Sequence, residues 1–164
     1  MLNRVAAAVD GSPASMAAVQ YAAQLVVPEG TLMLVDVQDV MSYYHDCLDD
    51  SITGDVSCDV AYFMKAWTEQ ARAAKKEAMA IASAKQAHVG WHVVKLPGGH
   101  GKPAEAVYRA VSKANRQILV TGKHRGSQFL EGIFGRFPRW LLSHSQIPVV
   151  LVPPPEMEAG QKTG

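Results

Sequence analysis

A chain of 164 residues with a formal net charge of +1, 48% apolar and 19% charged, has the size of one ordinary domain with one core. That balance excludes the composition of a disordered chain, of a coiled coil, and of a protein held on nucleic acid by a broad basic excess. No apolar stretch reaches membrane-spanning length and no small-residue cleavage site follows a signal-like core, so the expected setting is the cytoplasm, with neither membrane nor nucleic acid as partner.

The first predicted element is a strand over residues 4–9, where Val5-Ala6-Ala7-Ala8-Val9 is apolar at successive positions and so suited to burial on both faces. Asp10-Gly11-Ser12-Pro13 then opens a helix. Ser12 suits the N-cap, Pro13 the first helical position, and Met16, Val19, Tyr21, Ala22, Ala23 and Val26 supply an apolar stripe before Pro28-Glu29-Gly30 ends it. Residues 31–37, Thr31-Leu32-Met33-Leu34-Val35-Asp36-Val37, form a second buried strand, and the order implies a right-handed β-α-β crossover.

Residues 38–58 are polar and turn-rich, longer than most strand-to-helix connections, and are expected to be an acidic insertion or flap. From Asp36 to Asp59 there are seven aspartates and no lysine or arginine. Cys47 and Cys58 are too few for a disulfide framework and read as reduced thiols; with His45 they match no zinc spacing, so no metal site is assigned.

Periodicity returns with Val60, Phe63, Met64, Trp67, Ala71, Ala74, Ala78 and Ala82, which predict a long amphipathic helix to about Lys85. Trp91-His92-Val93-Val94-Lys95 is the third strand. Pro103 begins a helix whose Ala106, Val107, Ala110, Val111 and Ala114 face the sheet. The preceding Gly98-Gly99-His100-Gly101-Lys102-Pro103 superficially suggests a phosphate-binding P-loop. Leu96 occupies the required first glycine and Pro103 the magnesium-binding Ser/Thr, which rules it out.

Ile118-Leu119-Val120-Thr121 is the fourth strand, breaking into Gly122-Lys123-His124-Arg125-Gly126. A short helix from Phe137 to Ser143 leads to the fifth strand, Pro148-Val149-Val150-Leu151-Val152, which Pro153-Pro154-Pro155 ends; residues 154–164 are expected to be a flexible tail. Lys123 to Arg139 carries four basic residues and His124 against the single Glu131, a local field suited to an anion, although on charge alone a solvated surface patch is the favoured account.

Five strands alternating with four helices predict an α/β fold: a five-stranded doubly wound parallel sheet, Rossmann-like, order 3-2-1-4-5, with helices on both faces. In that order strands 1 and 4 are neighbours at the reversal point, and a ligand crevice falls between Asp10-Gly11-Ser12 and the loop from Gly122 to Gly126.

Five motifs in order, Val9-Asp10-Gly11-Ser12, Leu34-Val35-Asp36-Val37, Gly101-Lys102-Pro103-Ala104-Glu105-Ala106, Thr121-Gly122-Lys123-His124 and His144-Ser145-Gln146-Ile147-Pro148-Val149-Val150-Leu151-Val152, resemble those of the universal stress protein (Usp) family. The resemblance implies one domain over residues 1–153. Many members bind ATP through Gly-x-x-Gly, nine residues, then Gly-Ser/Thr. Here Gly122 matches the first glycine, Arg125 stands at the second with Gly126 one place late, Gly135 matches the third, and Arg136 replaces the Ser/Thr.

The implied cofactor is ATP or another adenine nucleotide, with Ala8 and Val37 lining the base and Asp10 near the nucleoside. Gly11, Ser12, Thr121, Lys123 and His124 complete the implied site, where glycine and helix-end amides can approach phosphate oxygens closely. The bland readings are an Asx turn for Asp10, core packing for Ala8 and Val37, and surface positions for Lys123 and His124. Arg125 and Arg136 either grip phosphate or fill its space.

No nucleophile is paired in sequence with an evident base, so slow ATP hydrolysis is the most activity expected. The leading expectation is a stress-response regulatory protein that binds nucleotide without efficient turnover; the alternative is a dimeric interaction module without nucleotide. Val149, Val150, Leu151 and Val152 form an uncharged edge strand that invites a second copy, and the resemblance implies a homodimer through it.

Overall fold

The computed structural model describes residues 1–38, 60–96, 102–123 and 136–155. Outside the described residues lie 39–59, which hold the expected acidic insertion except Gln38, the last residue of β2, together with the loop 97–101 ahead of Lys102, the glycine loop from His124 through Gly135, and the tail beyond Pro155. In chain order the elements are β1 (Leu2–Val9), α1 (Pro13–Leu25), β2 (Val26–Gln38), α2 (Val60–Ser83), β3 (His88–Lys95), α3 (Pro103–Lys113), β4 (Ile118–Gly122), α4 (Arg136–His144) and β5 (Val149–Val152). All strand pairings are parallel, in the order β3-β2-β1-β4-β5. This is the doubly wound α/β sheet that the alternation of elements predicts.

Burial divides by side-chain parity along each strand. Val5, Ala7 and Val9 of β1 join Leu32, Leu34 and Val120 under α1 and α2, while Ala6, Ala8, Met33, Val35 and Leu119 face α3 and α4. β1 is therefore buried on both sides, which explains its unbroken apolar run. Full burial of Leu32, Leu34, Leu119 and Leu141 stabilises the fold by about 1.5–3 kcal/mol per side chain relative to exposure.

Several boundaries and faces differ from the sequence reading. α1 stops at Leu25, and Val26 opens β2 in extended conformation rather than closing the helical stripe. The β1–β2 register then shifts, from Leu2 opposite Val26 to Arg4 opposite Thr31, because Pro28-Glu29-Gly30 loops out with Glu29 at φ 63°. Tyr21 is 41% exposed: two residues beyond the buried Val19 it lies about 200° round the helix, on the solvent side. Met64 is likewise exposed, and the deep contacts of α2 are made by Ala78 and Ala82.

β1 begins at Leu2 and β3 at His88, both earlier than their apolar runs, because polar edge residues can complete a ladder without being buried. α2 ends at Ser83, two residues short of Lys85. α3 buries Ala104, Val107 and Val111, with Ala110 and Ala114 packed at the margin and Ala106 half-buried. α4 gains one residue at each end, and Pro148 precedes β5 while its carbonyl still accepts the Leu119 N–H at 3.0 Å.

Candidate functional site

The chain leaves β1 toward the α1 face, and α4, which follows β4, packs on the opposite face. Their adjacent carboxyl ends form the reversal point of the sheet. A cavity of about 200 Å³ opens there. Among the predicted site residues, Ala8, Asp10, Val37, Thr121 and Gly122 line it.

The first wall is a loop built by local hydrogen bonds. Asp10 Oδ1 accepts the Ser12 N–H at 2.9 Å, closing an Asx turn around Gly11, whose φ of +84° is the left-handed region that glycine adopts without strain. Ser12 Oγ accepts the Ser15 N–H at 3.1 Å and so caps α1. The Ser15 hydroxyl donates to the Ser12 carbonyl at 2.9 Å and accepts the Asp10 N–H at 3.4 Å. Gly11 and Ser12 thus shape the loop, and Asp10 and Ser15 reach the cavity.

The second wall is set by close packing. A Cβ on Gly122 would lie 2.6 Å from the Ala14 carbonyl carbon and 2.7 Å from the Ser15 nitrogen, so only glycine lets the end of β4 touch the first turn of α1. Thr121 is a buried polar residue of the described chain, 4% exposed, placed by β4 between Val120 and this contact. Lys123 follows immediately, and its backbone N–H donates to the Val152 carbonyl at 2.7 Å, prolonging the β4–β5 ladder. Arg136 is the exposed first residue of α4. His124, Arg125, Gly126 and Gly135 lie outside the described residues.

Four further lining residues lie outside the set expected from sequence. Val9 ends β1, Ser15 is 3% exposed, Pro103 opens α3 and Phe137 stands in the first turn of α4. A serine three residues after an N-cap was the available signal for Ser15; nothing local marks Pro103 or Phe137 as neighbours of Val37. Chemically the cavity offers apolar walls from Ala8, Val37 and Phe137, hydroxyls from Thr121 and Ser15, and one carboxylate. Among the described residues no cluster of three His, Cys, Asp or Glu is positioned for a metal, and no helix is long and apolar enough to cross a membrane.

A doubly wound sheet with a cleft at its reversal point defines a class of α/β ligand-binding domains. Within it, the chain belongs to the universal stress protein family, whose model matches residues 1–153. The fold is similar to that of a universal stress family protein from Burkholderia pseudomallei, with a TM-score of 0.65 at 21% identity over 93% of this chain and 96% of that one. A universal stress protein from Archaeoglobus fulgidus gives 0.62 at 15% identity, over 93% and 99% of the two chains. A universal stress protein in complex with cAMP gives 0.59 at 18% identity, over 92% and 96%. The comparison with curated proteins yields no match.

Proposed function

We propose that this protein is a stress-response regulator that binds an adenine nucleotide in the cleft between the ends of β1 and β4, without efficient turnover. The observation that carries the reading is the meeting of Ala8, Asp10, Val37, Thr121 and Gly122 around one cavity. The apolar side chains of Ala8 and Val37 suit a base, and Phe137 adds an aromatic ring beside them. The Asp10 carboxylate, oriented by Ser12, suits sugar hydroxyls; beside a phosphate it would be repelled. Phosphates would extend toward the glycine loop and the start of α4 at Arg136, where helix N–H groups and the basic stretch favour negative charge. The similar protein solved with cAMP supports an adenine nucleotide as the class of ligand.

A second reading, an interaction module that carries no nucleotide, draws on two observations. Gly122 is accounted for by its contact with Ala14 and Ser15, and the Lys123 amide by its bond to Val152, with no ligand needed for either. In that reading the protein works as a cytoplasmic homodimer joined through β5, with the emptied cleft or the acidic insertion meeting a partner.

Mass spectrometry of small molecules released by denaturing freshly purified protein tests the two, together with calorimetry at millimolar ATP. Nucleotide released in stoichiometric amount, or a saturating heat of binding, supports the first. Neither signal leaves the interaction module.

A further inference from the structure

α3 and α4 cover their face of the sheet unevenly. On β3, His88, Gly90 and His92 alternate on the side of the sheet that also carries Met33, and Met33 pairs directly with Gly90. A Cβ on Gly90 would meet nothing within 4 Å among the described residues, so none of the described helices reaches over this strip. What remains is a groove of about 590 Å³ between β3 and the last turn of α3, at the end of the parallel strands opposite the nucleotide cleft.

Its chemistry is one-sided. The floor is apolar, with Met33 nearly buried, whereas Lys113, Arg116, His88 and His92 line the sides and no Asp or Glu does so among the described residues. Glu29 approaches from outside, its carboxylate 3.4 Å from His88 Nε2, with both side chains exposed. Arg116 is under-satisfied. Its Nη1 donates to Thr31 Oγ1 at 2.5 Å, but its Nε is buried without a hydrogen-bond partner. Burial, and then the neighbouring charge of Arg4, hold its pKa below the ordinary arginine value. Arg4 in turn spends its Nε on the Asn115 carbonyl, at 2.8 Å, and brings no carboxylate to the pair.

We infer that this groove is a second ligand site, for a small organic anion that lays an apolar body over Met33 and Gly90 and presents a carboxylate or phosphate to Arg116 and Lys113. The volume falls in the range of small-molecule sites, which are concave and largely apolar with a few placed polar groups. A guanidinium recognises an oxyanion through paired N–H donors, and an arriving anion relieves the repulsion between Arg116 and Arg4. The site does not depend on the nucleotide reading, since it shares no lining residue with the cleft.

Amide chemical-shift titration of the full chain tests this with four probes: phenyl phosphate, benzoate, inorganic phosphate and benzyl alcohol. Expected are saturable shifts at Gly90, His92, Lys113 and Arg116 with the first two probes. Inorganic phosphate, lacking the apolar body, and benzyl alcohol, lacking the charge, should each bind at least about tenfold more weakly. Arg116→Gln and Lys113→Gln should each weaken phenyl phosphate, the former about tenfold or more. Lys113 is exposed, so its variant keeps the test decisive if Arg116→Gln fails to fold. Gly90→Val, which fills open space, should abolish the shifts while preserving a folded spectrum. Shifts centred on Thr121 and Gly122, equal binding of benzyl alcohol, undiminished binding by both charge variants, or no saturation with either organic anion overturns the proposal.

Discussion

Gly122 touches Ala14 backbone to backbone: a methyl group on the glycine would stand 2.6 Å from the Ala14 carbonyl carbon and 2.8 Å from its oxygen. This contact brings the end of β4 onto the first turn of α1, and the width of the candidate cleft follows from it. Its partners are helix backbone, which cannot swing aside as a side chain could.

Gly122→Ala is therefore expected to lower stability by about 1–3 kcal/mol, the usual cost of forcing volume into a packed site. Gly90→Ala is the control, because it enters open space on an edge strand and should be neutral or stabilising by up to about 1 kcal/mol. Urea midpoints of the two variants, measured side by side, check the contrast. Equal loss in both would mean that the β4–α1 contact does not govern the difference.

The Asp10 loop separates shape from charge. Asp10→Asn keeps an oxygen to accept the Ser12 N–H, so stability should stay within about 0.5 kcal/mol of the parent, whereas Ser12→Ala removes the cap of α1 and should cost about 1 kcal/mol. On the proposed nucleotide reading Asp10→Asn still weakens ATP about tenfold, since a charged acceptor for sugar hydroxyls becomes a neutral one. Calorimetry on a variant of unchanged unfolding midpoint reads that difference directly.

The proposed homodimer through β5 would depend on the outer backbone edge of that strand. Pro148 and Val152 carbonyls accept from Leu119 and Lys123, so alternate residues of β5 bond inward to β4, and the Leu151 N–H points away from the sheet. Leu151→Pro removes that donor without cutting the inner ladder and should turn a dimer into a monomer in sedimentation at micromolar concentration. A dimer unaffected by the substitution points to another surface.

Arg4 and Arg116 give a prediction with a defined sign. Because burial, and then Arg4, depress the Arg116 pKa below the ordinary arginine value, the native state holds fewer protons than the unfolded one between the depressed and the ordinary value, and stability rises with pH only across that alkaline window. At neutral pH both arginines are charged and the repulsion stands, so screening should relieve it. Raising sodium chloride from about 0.01 M to about 1 M, which shortens the Debye length from roughly 30 to 3 Å, should stabilise the parent more than Arg4→Gln. Urea midpoints at the two salt concentrations measure the difference; identical salt responses would leave the pair without energetic weight.

The sequence by itself determined the alternation of strands and helices, the family, and the loop around Asp10. Each depends on residues a few positions apart: continuous apolar runs, Ser12 followed by Pro13, and an aspartate two residues before the amide that it accepts. Apolar character without the helical angle does not fix a helix face, as the exposed Tyr21 shows, and the start of β2 is hidden in the sequence because Val26 is as apolar as the helix it follows.

Only the tertiary structure decided that Gly122 is fixed by α1, that Ser15, Pro103 and Phe137 join Val37 around one cavity, and that Arg116 faces Arg4 beside an uncovered strip of β3. These relations join residues far apart in the chain, and Arg4 and Arg116 are 112 positions apart. Local propensity carries no information about such distances; they follow from how each helix seats on the twisted sheet, which the packing of all the elements sets together.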